Sequence, residues 1–423
     1  MKKKNYKALK KKKENKKDIV FQILKWICLF GVGVLFVELI IFGIIVYKNH
    51  NNVINVDLSQ NVIETSFGYV TVGSSNFSKS KFHDKTKSEI GVISLYKNDV
   101  ITDEIQFTKY YQSGFYDLEE ISSGYVVAGF IKKAKDENKE AVLLKFDKDW
   151  KIEWEKTYSE LDVSMFRSLI VEGDYIYVVG SSVYEDDVIG NEDKGGAIVL
   201  KYDLSGNEIV SNHFGGNKNG AFYDIVKVND IYYAVGSDTV DDALLIGFNS
   251  NLESIVVKNY ADVNHVGFTS ILASKNSLYV TCAKMKDENK QTVERATIVQ
   301  YDYEGNVLKE EEYAKEDYSI WNKIIDYNGS LYLVGDSAIK EGKKGSIFVD
   351  YIYKGIISRY SYDLKQEWIK EYDYENNEYY KSCIGYKDKI YVVGYTNSDI
   401  KELNSSKNDY VSYIHKYNID GTK

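Results

Sequence analysis

The sequence predicts an all-β fold built from one closed array of repeats, and three observations support this prediction. In six places an aromatic residue is followed fourteen positions later by the end of a Tyr-Val-Val-Gly-like strand. These leading aromatics are Phe115, Phe166, Phe222, Phe268, Trp321 and Tyr380. Aromatic residues make up 14% of the chain and proline is absent, a composition that suits antiparallel strands. A period of about fifty residues favours one repeat domain over several ordinary ones.

One repeat divides into four short strands. Residues 222 to 260 contain four strand-like runs, and turns such as Gly173-Asp174 have the composition that tight hairpins require. Another copy, from position 59 to position 73, opens the array and brings the number of units to seven. Because one unit is too small to bury its own faces, we predict a seven-bladed β-propeller of four-stranded antiparallel blades over residues 53 to 423. A β-solenoid and a β-sandwich are the alternatives.

The two ends of the array are predicted to complete each other. The last unit stops at the turn Asp420-Gly421 with no fourth strand after it, while residues 53 to 56 precede the first unit without a hairpin partner. We predict that residues 53 to 56 form the outermost strand of the last blade. Such a closure would remove exposed sheet edges.

An apolar segment near the N-terminus predicts a membrane anchor. Residues 1 to 18 contain ten lysines and two acidic residues, and the mainly apolar residues 19 to 47 are long enough to span a bilayer. The lysines place the N-terminus in the cytoplasm, and the apolar core is too long for a cleaved signal peptide. We therefore predict a cytoplasmic tail (1 to 18), a single-pass transmembrane signal anchor (19 to 47), a short linker (48 to 52) and an extracytoplasmic propeller at the cell membrane.

Glu38 lies within the predicted span, where an ionised carboxylate is unfavourable by about 3 kcal/mol. Two interpretations remain open. In one, Glu38 contacts a partner helix or a polar group inside a membrane complex, because intramembrane carboxylates are enriched at functional positions. In the other, the surrounding apolar residues offset its unfavourable insertion and it has no role.

The exported part of the chain is acidic. Residues 1 to 25 carry eleven lysines and two acidic residues, a charge of +9, so the remainder carries −18 of the total of −9. This charge disfavours nucleic acid and anionic polymers and is compatible with cations, basic partners or uncharged glycans. Of the three cysteines, Cys28 lies inside the span and Cys282 and Cys383 lie in different repeats, so we expect no disulfide.

Several repeats share a second pattern, in which Lys-Phe/Tyr-Asp is followed by Gly-Asn or by a Trp and a Tyr. The clearest copies contain Lys145, Phe146, Asp147, Trp154 and Tyr158, and Lys201, Tyr202, Asp203, Gly206 and Asn207. With these motifs the chain resembles, over residues 53 to 423, the bacterial propeller repeats found in surface and secreted proteins. The resemblance implies a propeller fold and an extracytoplasmic location, with no transferable site.

The length of the repeat varies mainly in one loop. Between the Gly or Cys that ends the second strand and the aromatic that ends the third, the spacing ranges from 12 to 25 residues. In a propeller this loop shares a face with the connections between blades, so the variable loops should surround one mouth of the central channel. Variable loops on a rigid scaffold are common binding sites. If residues 53 to 56 close the ring, this face points away from the bilayer.

Charged and aromatic loop residues are the candidates for ligand contact. The candidates are Tyr184, Glu185, Phe348, Tyr351, Tyr353, Lys132 and Lys133. Candidate oxygen ligands for a metal are Asp186, Asp187, Asp238, Asp241 and Asp242. No Asp-x-Asp-x-Asp-Gly spacing occurs among the latter, so a solvated acidic surface is the alternative. The regularly spaced leading aromatics are interpreted as packing residues.

These observations favour a binding module over an enzyme. The five histidines show no metal-ligand spacing, and the chain contains no Gly-x-Ser-x-Gly sequence and no phosphate-binding glycine loop. We expect no cofactor. The predicted function is binding of a protein or cell-envelope glycan through the variable-loop face. The alternatives are a propeller-type hydrolase or lyase, whose site would assemble from distant blades, and a structural subunit of a membrane complex that depends on Glu38.

Overall fold

The computed structural model describes residues 57–76, 88–183, 196–214, 220–238, 242–260, 265–288, 291–313, 315, 318–341, 350–372, 376–397 and 410–423. In these ranges the regular structure is β-strand, and no helix is long and apolar enough to cross a membrane. The chain separates into two compact units, Met1–Ile54 and Asn55–Lys423. The predicted tail, span and linker, including Glu38, lie outside the described residues, as do residues 53 to 56.

The strands of the first three repeats form separate antiparallel sheets. The first contains β1 (Asp57–Thr65), β2 (Gly68–Ser75), β3 (Ile90–Lys97) and β4 (Val100–Phe107). The second contains β5 (Gln112–Ile121), β6 (Gly124–Lys132), β7 (Glu140–Phe146) and β8 (Ile152–Tyr158). The third contains β9 (Val163–Glu172), β10 (Tyr175–Val183), β11 (Gly196–Asp203) and β12 (Glu208–Phe214).

The remaining strands form three more sheets. The fourth sheet contains β13 (Ala221–Val228), β14 (Ile231–Ser237), β15 (Ala243–Phe248) and β16 (Ser254–Asn259). The fifth contains β17 (His265–Ser274), β18 (Ser277–Glu288), β19 (Gln291–Tyr301), β20 (Val307–Tyr313), β21 (Tyr318–Tyr327), β22 (Ser330–Glu341), β23 (Asp350–Tyr360) and β24 (Gln366–Tyr372). The sixth contains β25 (Glu378–Tyr386), β26 (Lys389–Thr396) and β27 (Val411–Asn418).

The sheets are arranged as a β-propeller. The leading strands β1, β5, β9, β13, β17, β21 and β25 contact one another in that order, and β25 also contacts β1, which closes the ring. At this closure the Ser382 hydroxyl donates a hydrogen bond to Asn61 Oδ1. The leading strands therefore surround a central channel, and the other strands extend outward from it.

The prediction of seven four-stranded blades is wrong for the described residues. Five sheets have four or more strands, and the sixth has three. The cause of the largest difference is a long hairpin: β18 and β19 extend from Ser277 to Tyr301, where the sequence predicted a variable loop. The extension brings Glu294 of β19 into a parallel bridge with Tyr318 of β21, so eight strands share one sheet.

A β-bulge interrupts each leading strand, at Ser59 in β1 and at the repeating aromatic in the other six. In β13, for example, Phe222 pairs with Gly236 and Asp224 pairs with Val235, so Tyr223 is the extra residue. A Cβ atom on Gly236 would lie 1.8 Å from the backbone oxygen of Ala221, which explains why glycine recurs opposite the bulge. A bulge changes the direction in which the following side chains point, and here the residues after the aromatic face the channel.

The leading aromatics pack between neighbouring sheets, as predicted. All six have 0% exposure. Phe166 of β9, for instance, belongs to one cluster with Val126 of β6 and Ile198 of β11, so adjacent sheets share an apolar layer. Such burial on both faces of every sheet stabilises the ring. Cys282 and Cys383 are buried free thiols within these layers, and Cys28 lies outside the described residues.

Candidate functional site

A cavity of about 330 Å³ lies on the channel axis at the level of the bulges. The first residue after each leading aromatic lines it: Tyr116, Arg167, Tyr223, Thr269, Asn322 and Lys381. Most second residues line it too: Asp117, Ser168, Asp224, Lys323 and Ser382, with Gln60 and Asn61 from β1. The bulge therefore places two polar positions of each repeat at one level of the channel.

Asp117 links three leading strands. Its Oδ1 accepts hydrogen bonds from Asn61 Nδ2 and the backbone of Leu118, each 2.9 Å long. Its Oδ2 accepts hydrogen bonds from the Ser168 hydroxyl at 2.9 Å and from the backbone of Leu169 at 3.0 Å. Burial raises the pKa of Asp117, while the positive charge of Lys323 and these hydrogen bonds act in the opposite direction.

Asp224 has the same role on the next part of the ring and adds an ion pair. Its carboxylate accepts a hydrogen bond from the Ser270 hydroxyl (2.6 Å), and the Ser168 hydroxyl, which donates to Asp117, lies 3.3 Å away. The backbone nitrogens of Ile225 and Ile271, both 3.1 Å away, donate to it as well. Lys323 Nζ lies 2.9 Å from Asp224 Oδ2. Both oxygens of this buried carboxylate therefore accept hydrogen bonds from groups of the protein itself.

A second ion pair lies beside the channel. Asp336 is 3% exposed, and its carboxylate accepts hydrogen bonds from Asn322 Nδ2 (2.8 Å), Lys381 Nζ (3.2 Å) and the backbone of Tyr380 (2.8 Å). Burial raises the pKa of Asp336, and Lys381 opposes that effect. The pKa of Lys381 is raised because the attraction of Asp336 and other neighbours outweighs its burial. Lys381 therefore carries its charge at the channel wall.

Arg167 differs from the other charged residues of the cavity. Its guanidinium carbon lies 4.2 Å from the ring centre of Tyr116 and 5.9 Å from that of Tyr223. Its Nε is buried and has no hydrogen-bond partner among the described residues. The pKa of the nearby Lys139 is lowered, first by burial and then by the positive charge of Arg167. This part of the channel mouth therefore carries positive charge although residues 26 to 423 have a net charge of −18.

A row of tyrosines lies next to the channel at the ends of strands that adjoin the variable loops. This tyrosine row consists of Tyr318, Tyr353, Tyr379, Tyr395 and Tyr410. The ring centres of neighbours are 4.9 to 6.0 Å apart. Tyr379, Tyr395 and Tyr410 line a second cavity of about 360 Å³. Lys381 connects the row to the channel, since its Nζ lies 5.4 Å from the Tyr379 ring centre and 5.7 Å from that of Tyr395.

The predicted ligand-contact residues are only partly described. Tyr353 belongs to the tyrosine row, and Tyr351 is 40% exposed with its ring centre 6.4 Å from that of Tyr353. Lys132 ends β6, and the exposed Lys133 pairs with Glu140 at 2.7 Å. Tyr184, Glu185 and Phe348 lie outside the described residues.

The structure describes only two of the five predicted acidic metal ligands, Asp238 and Asp242. Asp238 donates its backbone N–H to the Asp242 carbonyl at 2.9 Å, while Asp186, Asp187 and Asp241 lie outside the described residues. In the part of the chain that the structure describes, no group of three or more His, Cys, Asp or Glu residues is arranged to hold a metal ion.

Sequence reasoning missed the channel residues. Their signal was present: polar residues follow the leading aromatic in each repeat, as in Tyr116-Asp117 and Tyr223-Asp224. The fixed spacing of the aromatic indicates packing, and the spacing alone does not show that the two residues after it face the channel. The hairpin registers explain why they matter, because the bulge falls at that point in each leading strand.

The comparisons with known proteins do not assign the chain to a family. No protein-family model matches the chain, and no curated protein matches it. Among solved structures, the WD40 β-propeller domain of Doa1 is similar at 10% identity and a TM-score of 0.49, covering 85% of this chain and 92% of that one. The phage phi92 endosialidase has 8% identity and a TM-score of 0.43, covering 85% of this chain and 67% of that one.

A member of the DUF4221 family from Bacteroides vulgatus has 9% identity and a TM-score of 0.39, covering 73% of this chain and 94% of that one. The names of these three structures describe different kinds of protein. At such low identity and TM-scores, these likenesses carry no functional argument, and propeller folds host many unrelated activities.

Proposed function

We propose that the protein is a membrane-anchored, extracytoplasmic binding module that recognises a protein or a cell-envelope glycan through its variable-loop face. The observation that carries this proposal is the continuity of the channel cavity and the tyrosine row, which Lys381 joins. Concave sites with aromatic walls and a few polar groups are the usual form of ligand pockets.

The position of the tyrosine row supports the choice of face. Tyr353 and Tyr379 lie at the starts of β23 and β25, and Tyr395 lies near the end of β26. These ends adjoin the connections between repeats and the variable loops. Tyrosine supplies a large, rigid contact surface with a polar tip at little conformational entropy, which is why it is enriched at recognition surfaces.

The location is proposed from the sequence alone. The lysine-rich residues 1 to 18 and the apolar residues 19 to 47 support a single-pass anchor with the N-terminus inside. The charge of −18 on the remainder of the chain argues against nucleic acid as a partner.

The geometry of the channel favours binding over hydrolysis or elimination. A catalytic carboxylate must be free to exchange a proton with the substrate. Asp117 accepts four hydrogen bonds from the protein, including the shorter one from Ser168, and Asp224 accepts four others, including that of Lys323. Both carboxylates hold neighbouring strands together, so we assign them a structural role.

The proposal can be tested with pull-downs from detergent-solubilised envelope, using residues 51 to 423 in parallel with the full-length chain. Tyr351→Ala should weaken retention of the partner by about tenfold, as for an interface aromatic. Tyr175→Ala is the matched control, because Tyr175 is also 40% exposed but begins β10 at the opposite, tight-turn end. Equal retention by both variants, or partners seen only with the full-length chain, would contradict binding through this face.

A further inference from the structure

Arg167 has an arrangement typical of a ligand-binding arginine. Its guanidinium carbon is within 6 Å of two tyrosine ring centres, at 4.2 Å from Tyr116 and 5.9 Å from Tyr223. A guanidinium that stacks on a ring keeps its N–H groups available for hydrogen bonds in its own plane. The buried Nε has no acceptor among the described residues. A donor without a partner is unfavourable, so a small turn of the Arg167 side chain that brings Nε to an acceptor supplied by a ligand would be stabilising.

The other cations of the cavity already have partners. Lys323 pairs with Asp224 at 2.9 Å, and Lys381 pairs with Asp336 at 3.2 Å. Within the described ranges no carboxylate lies within ion-pair distance of Arg167, and Asp117, which faces the same cavity, has both oxygens occupied by other donors. Arg167 is therefore the cationic group of the cavity that is available to an external anion.

We propose that Arg167 binds the carboxylate of an acidic sugar residue inserted into the channel cavity. This inference rests on the proposed function and specifies the ligand of the same face. The planar fork of an arginine matches a carboxylate through two parallel hydrogen bonds. The cavity of about 330 Å³ is at the size of a small ligand site and accommodates a single sugar residue.

The rest of the cavity wall suits a sugar. Tyr223 is 40% exposed, and its ring beside Arg167 offers an apolar face to the carbon skeleton of a pyranose. The Gln60 side chain, which also lines the cavity, carries an amide that can both donate to and accept from sugar hydroxyls. The ion pairs of Lys323 and Lys381 leave Asp117 and Arg167 as the other charged groups of the cavity. Because hydrogen bonds from Asn61, Ser168 and the backbone occupy the Asp117 oxygens, recognition of an anion depends on the N–H groups of Arg167.

The test is calorimetric titration of the full-length chain in detergent with D-glucuronate, D-glucose, N-acetyl-L-aspartate and inorganic phosphate. We expect glucuronate to bind at least tenfold more tightly than the other three. Arg167→Gln should weaken glucuronate binding about 10- to 100-fold, the loss expected for charge-assisted hydrogen bonds. Arg167→Lys, which keeps the charge and loses the planar fork, should weaken it about tenfold. Lys148→Gln, at an exposed turn, is the control for a lost positive charge and should bind as the wild type does.

Several outcomes would overturn the inference. Equal binding of glucose would show that the carboxylate is not recognised, and equal binding of N-acetyl-L-aspartate would assign the site to an acidic peptide. Phosphate binding as tight as that of glucuronate would assign it to anions in general. Absence of glucuronate binding, with envelope partners still retained in a Tyr351-dependent way, would refute the acidic sugar while leaving the proposed function intact.

Discussion

Lys323 Nζ lies 2.9 Å from Asp224 Oδ2, although the two residues are 99 positions apart and the leading strand β17 lies between their strands in the ring. The ion pair therefore connects leading strands that are not neighbours. Asp224 also binds Ser270 of β17, so a single carboxylate holds β13, β17 and β21 together. The polar residues of the channel stabilise the ring at its centre, while the apolar layers stabilise it further out.

Replacing Asp224 should destabilise the propeller strongly. Asp224→Ala leaves Lys323 without its ion-pair partner in a site where its side chain is only 28% exposed. The loss of a buried ion-pair partner typically lowers the free energy of unfolding by about 3 to 5 kcal/mol. Urea denaturation of both proteins measures the difference, with Asp149→Asn at an exposed turn as the control.

The double variant Asp224→Ala/Lys323→Met tests the cause. Removing the unpaired charge should recover part of the lost stability. Together with the single variants Asp224→Ala and Lys323→Met, the double variant completes a double-mutant cycle, which isolates the energy of the pair. No recovery would show that the hydrogen bonds to Ser270 and Ile271, rather than the ion pair, account for the effect.

Glu119 should make the stability depend on pH. Its carboxylate accepts a hydrogen bond of 2.6 Å from the backbone of Val171, and burial raises its pKa from 4.5 to about 7. The folded state therefore binds this proton more tightly than the unfolded state, and stability falls as the pH rises from about 4.5 to about 7. The free energy of unfolding should fall by at most about 3 kcal/mol over that pH range.

Glu119→Gln should remove this pH dependence of stability. The measurement is urea denaturation at pH 5 and at pH 7.5 for the wild type and the variant. Glu120→Gln is the control, since the adjacent Glu120 also bonds across sheets, to the backbone of Ser66. If the pH dependence of stability persists in Glu119→Gln and disappears in Glu120→Gln, the titrating group is Glu120, and the prediction for Glu119 is contradicted.

The glycine opposite the bulge should be sensitive to a single methyl group. Gly236→Ala would place a Cβ 1.8 Å from the Ala221 backbone oxygen, so the strands must separate, and we expect a loss of about 3 kcal/mol. Cys282 occupies the same position in its own repeat and already carries a Cβ. Cys282→Ala should lower the stability by only about 1 kcal/mol.

The fifth repeat shows how the position opposite the bulge, Cys282 in this repeat, accommodates a side chain. Gly267 precedes Phe268 and has a φ of +64°, a conformation that glycine adopts readily. An additional register shift lies between His265 and Phe268. Gly267→Ala should therefore destabilise the protein more than Cys282→Gly, which removes one small buried side chain. Thermal unfolding of the two variants compares them directly, and the reverse order would refute this compensation.

The repeat, the buried aromatics and the tight hairpins follow from local patterns, and these could be predicted from the sequence. Phe222 and Trp321 recur at fixed spacing because each fills the gap between two adjacent sheets. The number of separate blades could not be predicted in this way. It depends on whether the hairpin of β18 and β19 continues far enough for Glu294 to reach Tyr318, and loop length alone does not specify that.

The site was less predictable than the fold. The contact between Lys323 and Asp224 and the flanking of Arg167 by Tyr116 and Tyr223 join residues about 50 to 100 positions apart through closure of the ring. Among the predicted contact residues, Tyr353 lies beside the channel because β23 starts near β25, a relationship set by the order of strands around the ring.

We propose that a ligand binds on the variable-loop face beside the channel. A direct test places a photo-crosslinking amino acid at position 351 or at position 175 of the full-length chain in the cells that produce it. We expect crosslinks to an envelope component from position 351 and none from position 175. Crosslinks from position 175 with none from position 351 would contradict it.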